Sequence, residues 1–271
     1  MEDDSKGYVL MIKTVQISPF KTLMMALKDI LIETNIIFTQ EGLKIANIDK
    51  TRTILVHLNL LSKNFECFFC KYPKIVIGVE MLHLFKLINS IENDDTLSIF
   101  IEDRHYSEGI ISHLGMRFEN GNIMQCKTQY LKLIEPDMQE VLYPPVKFSS
   151  IINIPSSDFQ KIIRDMSSLS DRIEIKCVGD ELIFSLNGPF AEVQIRRSEC
   201  SGNLEYVKKQ DKTRIIQGEF SLKFLSYFIK CTNLCNSIEV MLENDVPLVV
   251  QYNVASLGEI KLCLAALPPS V

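Results

Sequence analysis

A chain of 271 residues, with 46% hydrophobic and 23% charged residues, is long enough for one large or two medium globular domains. This composition excludes the disordered, collagen-like and coiled-coil classes. The net charge of −5 gives no bulk electrostatic reason to expect nucleic-acid binding, so the placement of the positive charges must decide that question.

The sequence shows no pattern of membrane insertion, secretion or disulfide stapling. No apolar run reaches the roughly 18 residues that span a bilayer, and residues 1–8 are acidic where a signal peptide is basic. The eight cysteines are scattered through apolar stretches and lack the density of a disulfide-stapled domain. We therefore expect a soluble protein of a reducing compartment.

The first half of the chain predicts a helix, a hairpin, a second helix and a further strand. Apolar residues recur at helical spacing in the helices and alternate in the strands. The turn Gln40-Glu41-Gly42 joins the two strands of the hairpin. In chain order, the predicted elements are helix Ser18–Glu33, strands Ile36–Thr39 and Leu43–Asn47, helix Val79–Ile91, and strand Thr96–Asp103.

A proline-rich segment separates the two halves. Glu135–Pro145 holds three prolines in eleven residues, so it can form neither a helix nor a central strand. This segment predicts an interdomain linker.

The second half repeats the order of elements, displaced by roughly 140 residues. Ser156 or Asp158 is available to cap its first helix. The repeat predicts two α+β domains, residues 1–134 and 147–271, each with two helices on mostly antiparallel sheets and joined by a connecting loop of residues 135–146. The predicted elements are helix Ser156–Leu169, strands Arg172–Val178 and Leu182–Ser185, helix Ser221–Thr232, and strand Ser237–Asn244.

Three of the four predicted helices carry cations opposite an apolar face. On one helix this pattern is more often an ordinary solvated face, but its repetition in an acidic chain favours loose, sequence-independent contact with phosphates. Acidic residues share these helices. The cations are Lys21 and Lys28, Lys161 and Arg164, and Lys223 and Lys230, with Lys86 as a weaker case on the second helix. The opposite faces carry Leu23, Ala26, Leu27 and Ile30; Phe159, Ile163 and Met166; and Leu222, Phe224, Leu225 and Phe228.

The sequence contains no recognisable catalytic, cofactor-binding or metal-binding pattern. Cys67 and Cys70 form one C-x-x-C, but no second pair or paired histidines follow at zinc-site spacing. Nucleotide-binding glycine motifs and a nucleophile elbow are absent from the sequence, and the four histidines form no triad. We expect no cofactor and no metal. Because carboxylates are abundant, a catalytic pair stays an open alternative.

Several stretches, in order along the chain, match one known family. They are Ala26–Asp29, Gly42–Ile45 leading into Ile48-Asp49, Pro155–Phe159 continuing through Ile163–Ser167, and Asp245–Tyr252 followed by Gly258 and Leu264-Ala265. In these stretches the chain resembles proliferating cell nuclear antigen, the eukaryotic-type DNA sliding clamp, and the resemblance extends from Val9 to Ala266. Each stretch alone is weak, whereas their order along the whole chain is specific.

The resemblance implies the DNA-clamp fold, in which each domain holds a β-α-β-β-β duplication and three subunits close head to tail into a ring. By analogy, strand edges near Met124–Lys132 and Ala191–Glu199 would pair between subunits. The helices would line the hole, and topology would hold the ring on DNA despite the acidic net charge. The positions that match the family's DNA-facing cations are Lys21, Lys28, Lys86, Arg164, Lys223 and Lys230.

The resemblance also implies a pocket for a short partner peptide with a glutamine anchor and two aromatic side chains. The matching positions are Ile48, Thr53, Leu55, Val141, Tyr143, Pro247, Cys263, Ala265 and Ala266. Ordinary core or edge packing is the alternative interpretation of these residues.

This chain departs from the family pattern at several pocket positions, so the pocket would prefer altered peptides. Thr53 and Tyr143 replace aliphatic residues, Cys263 replaces an aromatic, and Ala266 replaces proline. Gly179 stands where many relatives carry the lysine that receives ubiquitin-type modifiers, so we do not expect that regulation here.

The resemblance therefore predicts a non-enzymatic processivity factor, a homotrimeric sliding clamp that encircles duplex DNA. Its partners would be DNA polymerase, a clamp loader, a flap nuclease and a ligase, bound through short peptide motifs, with no membrane contact. Two alternatives stay open: a subunit of a checkpoint-type heterotrimeric clamp, and an enzyme built on an α+β fold. The expected location is the nucleus, or a cytoplasmic replication site if the chain belongs to a large DNA virus.

Overall fold

A computed structural model describes residues 6–92, 94–137, 139, 141, 143, 146–200, 202–211 and 213–268. The chain forms two compact units, and among the described residues each has two α-helices and antiparallel sheets, which confirms the predicted α+β class. The domain boundaries at 134 and 147 stay a prediction. The first unit comprises Met1–Lys50, His57–Leu142 and Val254–Glu259, and the second comprises Thr51–Val56, Tyr143–Asn253 and Ile260–Val271.

The N-terminal half contains two helices and a five-stranded antiparallel sheet. In chain order its elements are β1 (Tyr8–Thr14), α1 (Ile17–Ile30), β2 (Glu33–Thr39), β3 (Gly42–Ile48), β4 (Ile54–Leu61), β5 (Cys67–Cys70), β6 (Lys74–Glu80), α2 (Met81–Asn89), β7 (Thr96–Glu102), β8 (Tyr106–Ser107), β9 (Ile110–Ile111), β10 (His113–Asn120) and β11 (Gln125–Lys132). The five-stranded sheet has the order β11-β10-β7-β1-β5, and β2 pairs with both β3 and β6. Helices α1 and α2 pack against each other.

The C-terminal half repeats this arrangement. Its elements are β12 (Ser150–Pro155), α3 (Ser156–Ser167), β13 (Arg172–Val178), β14 (Glu181–Asn187), β15 (Glu192–Ser198), β16 (Glu205–Lys208), β17 (Ile216–Ser221), α4 (Leu222–Phe228), β18 (Ser237–Leu242), β19 (Leu248–Val254) and β20 (Gly258–Leu264). One antiparallel sheet has the order β15-β14-β13-β17, and β16, β12, β18 and β19 are antiparallel neighbours in another. Helix α3 packs against α4.

The sequence placed the helices correctly but not all of their ends. Helix α1 ends early because Leu31 adopts an extended conformation and Glu33 begins β2. Helix α4 ends at Phe228, and Ile229–Leu234 continue as a 3₁₀ helix. The tighter turn fits the hydroxyl of Thr232, which donates a 2.6 Å hydrogen bond to the carbonyl three residues earlier.

The capping prediction for α3 was wrong. Pro155 is the residue at the cap position, and no side chain caps this end. The hydroxyl of Ser156 instead donates to the carbonyl oxygens of Thr232 at 3.1 Å and Cys235 at 2.6 Å. Ser156 therefore joins α3 to the 3₁₀ segment that follows α4.

The apolar helix faces are buried as predicted, with one exception. Every predicted core residue of α1 and α3 is buried. On α4, Leu222, Leu225 and Phe228 are buried, but Phe224 is half-buried. Burying these faces leaves the cationic faces of the helices turned away from the core.

Candidate functional site

The cations of α1 are restrained by neighbouring groups. Lys21 donates to the carbonyl oxygen of Ile91, and Lys28 Nζ lies 2.8 Å from Asp29 Oδ1. The same ammonium lies 5.0 Å from the centre of the Phe85 ring. Both lysines are half-buried, so part of their charge is already satisfied within the unit.

The cations of α2, α3 and α4 are more open. Lys86, Lys161, Arg164 and Lys223 are all exposed, and within the described part of the chain none of them forms an ion pair. Lys230 lies in the 3₁₀ helix after α4, contrary to the predicted helix Ser221–Thr232, and is half-buried, with its Nζ 5.5 Å from the Tyr227 ring centre. Exposed, unpaired cations on helices can make the long-range, sequence-independent contacts that phosphates accept.

A compact apolar cluster lies in the second unit where peptide binding was predicted. Buried Phe148, Met241, Val249 and Cys263 form its floor, and half-buried Leu55, Tyr143, Val146 and Ile151 pack against them. Three sequence-predicted pocket residues, Leu55, Tyr143 and Cys263, are therefore brought together. Partly covered apolar side chains around a buried floor are the composition of a small hydrophobic docking site.

The remaining predicted pocket residues are placed less uniformly. The backbone N–H of Ala265 donates a 3.0 Å bond to the carbonyl of Thr53, so these two positions are adjacent in the second unit. Pro247 and Ala266 are exposed in the same unit. Ile48, 41% exposed, and half-buried Val141 belong to the first unit, and their role in the pocket stays a prediction.

The connecting segment is tied to this cluster through Tyr143. Burial raises the pKa of the Cys263 thiol to about 12, although the positive charge of Lys261 and a hydrogen bond with Tyr143 oppose the shift. The Lys261 Nζ lies 5.6 Å from the Tyr143 ring centre. A thiol held in this way stays protonated at neutral pH and serves as packing rather than as a nucleophile.

Sequence reasoning missed five of the eight residues of the cluster. Ile151 is the cross-strand neighbour of Met241, and Met241 is the neighbour of Val249. These three positions share the sheet face that elsewhere carries the polar Asn153, Glu239 and Gln251. Apolar residues at neighbouring positions of three adjacent strands, on a face that is otherwise polar, would predict such a cluster once the strand order is known.

Each unit ends one sheet in an open strand. Strand β11 is the terminal strand of the five-stranded sheet, and β15 is the terminal strand of the four-stranded sheet. Most residues of both strands are exposed. Within the described residues, these two strands pair on one side only, so their free backbone groups are available to another strand.

Two similar α+β units, with cations on their helices and antiparallel sheets that end in open strands, define the DNA-clamp class of folds. In the described residues no helix is long and apolar enough to cross a membrane. Nor does that part of the chain hold a group of three or more His, Cys, Asp or Glu residues suited to a metal ion.

The comparisons with known proteins agree with this class. The family models for the N-terminal and C-terminal domains of proliferating cell nuclear antigen match residues 9–140 and 143–267. The chain is 30% identical over 274 residues to a protein of Paramecium bursaria Chlorella virus 1 named "Probable DNA polymerase sliding clamp 1", covering 98% of each. The chain therefore belongs to the proliferating cell nuclear antigen family of DNA polymerase sliding clamps.

Proposed function

We propose that this chain is a DNA polymerase processivity factor whose three copies close head to tail around duplex DNA. The observation that carries the proposal is the pair of open strands, β11 in the first unit and β15 in the second. A contact between two different edges of identical chains is heterologous, and such contacts build rings when their rotation closes. Because each subunit has one β11 edge and one β15 edge, every edge of these two kinds is paired in a closed ring.

The proposed DNA contact uses the helices. The cations assigned to it are Lys21, Lys28, Lys86, Lys161, Arg164, Lys223 and Lys230. Weak, screened contacts suit a ring that is retained by topology and must still move along the duplex. A net charge of −5 is compatible with this function because tight binding is unnecessary.

The proposed partner site is the apolar cluster around Leu55, Tyr143 and Cys263. In the proposal, short peptide segments of a polymerase, clamp loader, flap nuclease or ligase bind there, and Pro247, Thr53, Ala265 and Ala266 of the same unit complete the site. Tethering raises the effective concentration of each partner at DNA without any catalysis by the clamp. The chain would then act as a non-enzymatic scaffold at sites of DNA replication.

Native mass by light scattering is the first test of this function. We expect about three times the 31.0 kDa mass of the chain. A protein that stays single at micromolar concentration would contradict the homotrimer, and a trimer that forms only with other clamp chains would favour the checkpoint-type ring.

Retention on DNA tests encirclement. After loading on circular plasmid, the protein should stay bound until the plasmid is linearised, and should then leave from the ends. Equal loss from circular and linear DNA would contradict the proposed function.

A further inference from the structure

The residue before the connecting segment, Ile134, is held against strand β6 by a backbone contact. The N–H of Ile134 donates a 3.0 Å hydrogen bond to the carbonyl of Gly78, the two residues forming an antiparallel bridge. Strand β6, which carries Gly78, therefore gains one further backbone partner from the residues that follow β11.

Gly78 is required for this approach. A Cβ built at this position would lie 2.6 Å from the carbonyl oxygen of Ile134 and 2.9 Å from that of Glu135. Both atoms belong to backbone, which cannot move aside as a flexible side chain can. Any side chain at position 78 would push the segment away from the strand.

Asn35 holds the segment at Asp137. Its side-chain amide donates a 2.5 Å bond to the carbonyl of Asp137, and its amide oxygen accepts a 3.0 Å bond from the N–H of the same residue. Asn35 is also the cross-strand neighbour of Gly78, so the two positions share one face of the sheet. The two residues therefore act on consecutive parts of one segment.

We infer that Asn35 and Gly78 are positioning residues: they hold the first residues of the connecting segment in place and thereby set the affinity of the partner site for peptides. The inference rests on the proposed function, because Tyr143 of that site follows Asp137 by six residues. A segment fixed at Asp137 has less conformational entropy to lose when a peptide binds beside Tyr143. In this inference both residues act through the segment and not by contact with the peptide.

The test compares Asn35→Ala and Gly78→Ala with Asn64→Ala. Asn64 is a matched control because its side-chain amide also bonds a backbone carbonyl of the first unit, that of Leu257 at 3.3 Å, away from the connecting segment. We expect Asn35→Ala to speed hydrogen exchange at the Asp137 amide and Gly78→Ala to speed it at Ile134. Asn64→Ala should leave both amides protected.

Peptide affinity is the second readout, measured with a synthetic peptide that carries one glutamine and two aromatic side chains. Loss of an ordering hydrogen bond should weaken binding by Asn35→Ala about fivefold relative to Asn64→Ala, with equal melting temperatures. Unchanged exchange at Asp137, or an affinity equal to that of the control, would overturn the inference. If the unmodified protein binds no peptide, the proposed partner site fails, and exchange alone then decides whether Asn35 fixes the segment.

Discussion

At the scale of single residues, the seven helix cations are not equivalent. Lys21 and Lys28 are tied to Ile91 and Asp29, whereas Lys161, Arg164 and Lys223 are exposed. A cation already paired inside the protein releases fewer counterions when a phosphate approaches. The exposed cations should therefore contribute most to the salt dependence of DNA binding.

We predict that the triple change of Lys161, Arg164 and Lys223 to Ala lowers the slope of log affinity against log salt by about three, since each neutralised phosphate contributes about 0.9. The measurement is anisotropy of linear duplex across a salt series. The matched control changes three lysines that are paired with carboxylates elsewhere: Lys44, Lys71 and Lys209. Equal slopes for the two triple variants would contradict the assignment of DNA contacts to the helices.

Glu243, in the second unit, accepts several hydrogen bonds. Its oxygens accept hydrogen bonds from the N–H and hydroxyl of Ser149 and from the backbone N–H of Asn244, and Arg214 Nη2 lies 2.5 Å away. Burial by itself would raise the pKa of this carboxyl, but these hydrogen bonds and the arginine charge outweigh burial and lower it.

Because the folded pKa of Glu243 is depressed, its stabilisation is present above the unfolded value of about 4.3 and is lost as pH falls through the folded value. We predict that Glu243→Gln lowers the free energy of unfolding at pH 7 by about 2 kcal/mol. Urea denaturation at pH 7 and pH 3 measures the difference, which should shrink at the lower pH. Glu41→Gln, in an exposed ion pair, should change stability little at either pH. A difference in the free energy of unfolding between Glu243→Gln and the unmodified protein that does not depend on pH would contradict this role.

At the scale of elements, the two open strands differ from the other sheet edges in their proposed role. Strand β16 is also a terminal strand of the second unit, and its Val207 is 61% exposed. Strand β15 carries the half-buried Ile195. Ile195 and Val207 therefore allow the same change, from a β-branched apolar residue to Asp, on two different edge strands of one unit.

We predict that Ile195→Asp shifts the native mass from three chains to one, because a carboxylate would have to be desolvated where two strands join. Val207→Asp should leave the mass at three chains. Light scattering measures both, and circular dichroism checks that both variants fold. A trimer that persists in Ile195→Asp would remove β15 from the subunit contact.

The apolar cluster makes a second prediction about elements. Leu55→Asp should abolish binding of partner peptides, because a charge would stand among the apolar side chains that a peptide must desolvate. Fluorescence titration measures the affinity. Ile110→Asp, at a 74% exposed position of β9, is the control with the same charge change. Unaltered affinity in Leu55→Asp would show that peptides bind elsewhere.

At the scale of the whole molecule, an acidic chain can stay on DNA if the ring closes around the duplex, because retention then does not require high affinity. A closed ring leaves a circular duplex only by opening, whereas a contact through cations fails as salt rises. We predict that raising salt from 50 mM to 200 mM reduces affinity for linear duplex at least tenfold while retention on closed circles barely changes. Gel filtration of the loaded plasmid measures retention. Parallel losses on both DNA forms would mean that electrostatics alone hold the protein.

The amino-acid sequence by itself determined the duplicated α+β class, the positions of four helices and the cations on their faces. These features depend on the spacing of apolar residues over short stretches, which local backbone geometry converts directly into helices and strands. The proline-rich linker stays a prediction, which rests on the local exclusion of regular structure by proline. Helix ends were misjudged at Glu33 and Ile229, where the following strand or the packing of buried residues decides.

Only the tertiary structure decided which distant residues meet. Met241 and Val249 join the apolar cluster through strand register, and Asn35 meets Asp137 across 102 positions of the chain. The open edges of β11 and β15 likewise depend on strand order within each sheet. The local spacing of apolar residues does not predict such contacts, because they form when distant parts of the chain come together to bury apolar surface.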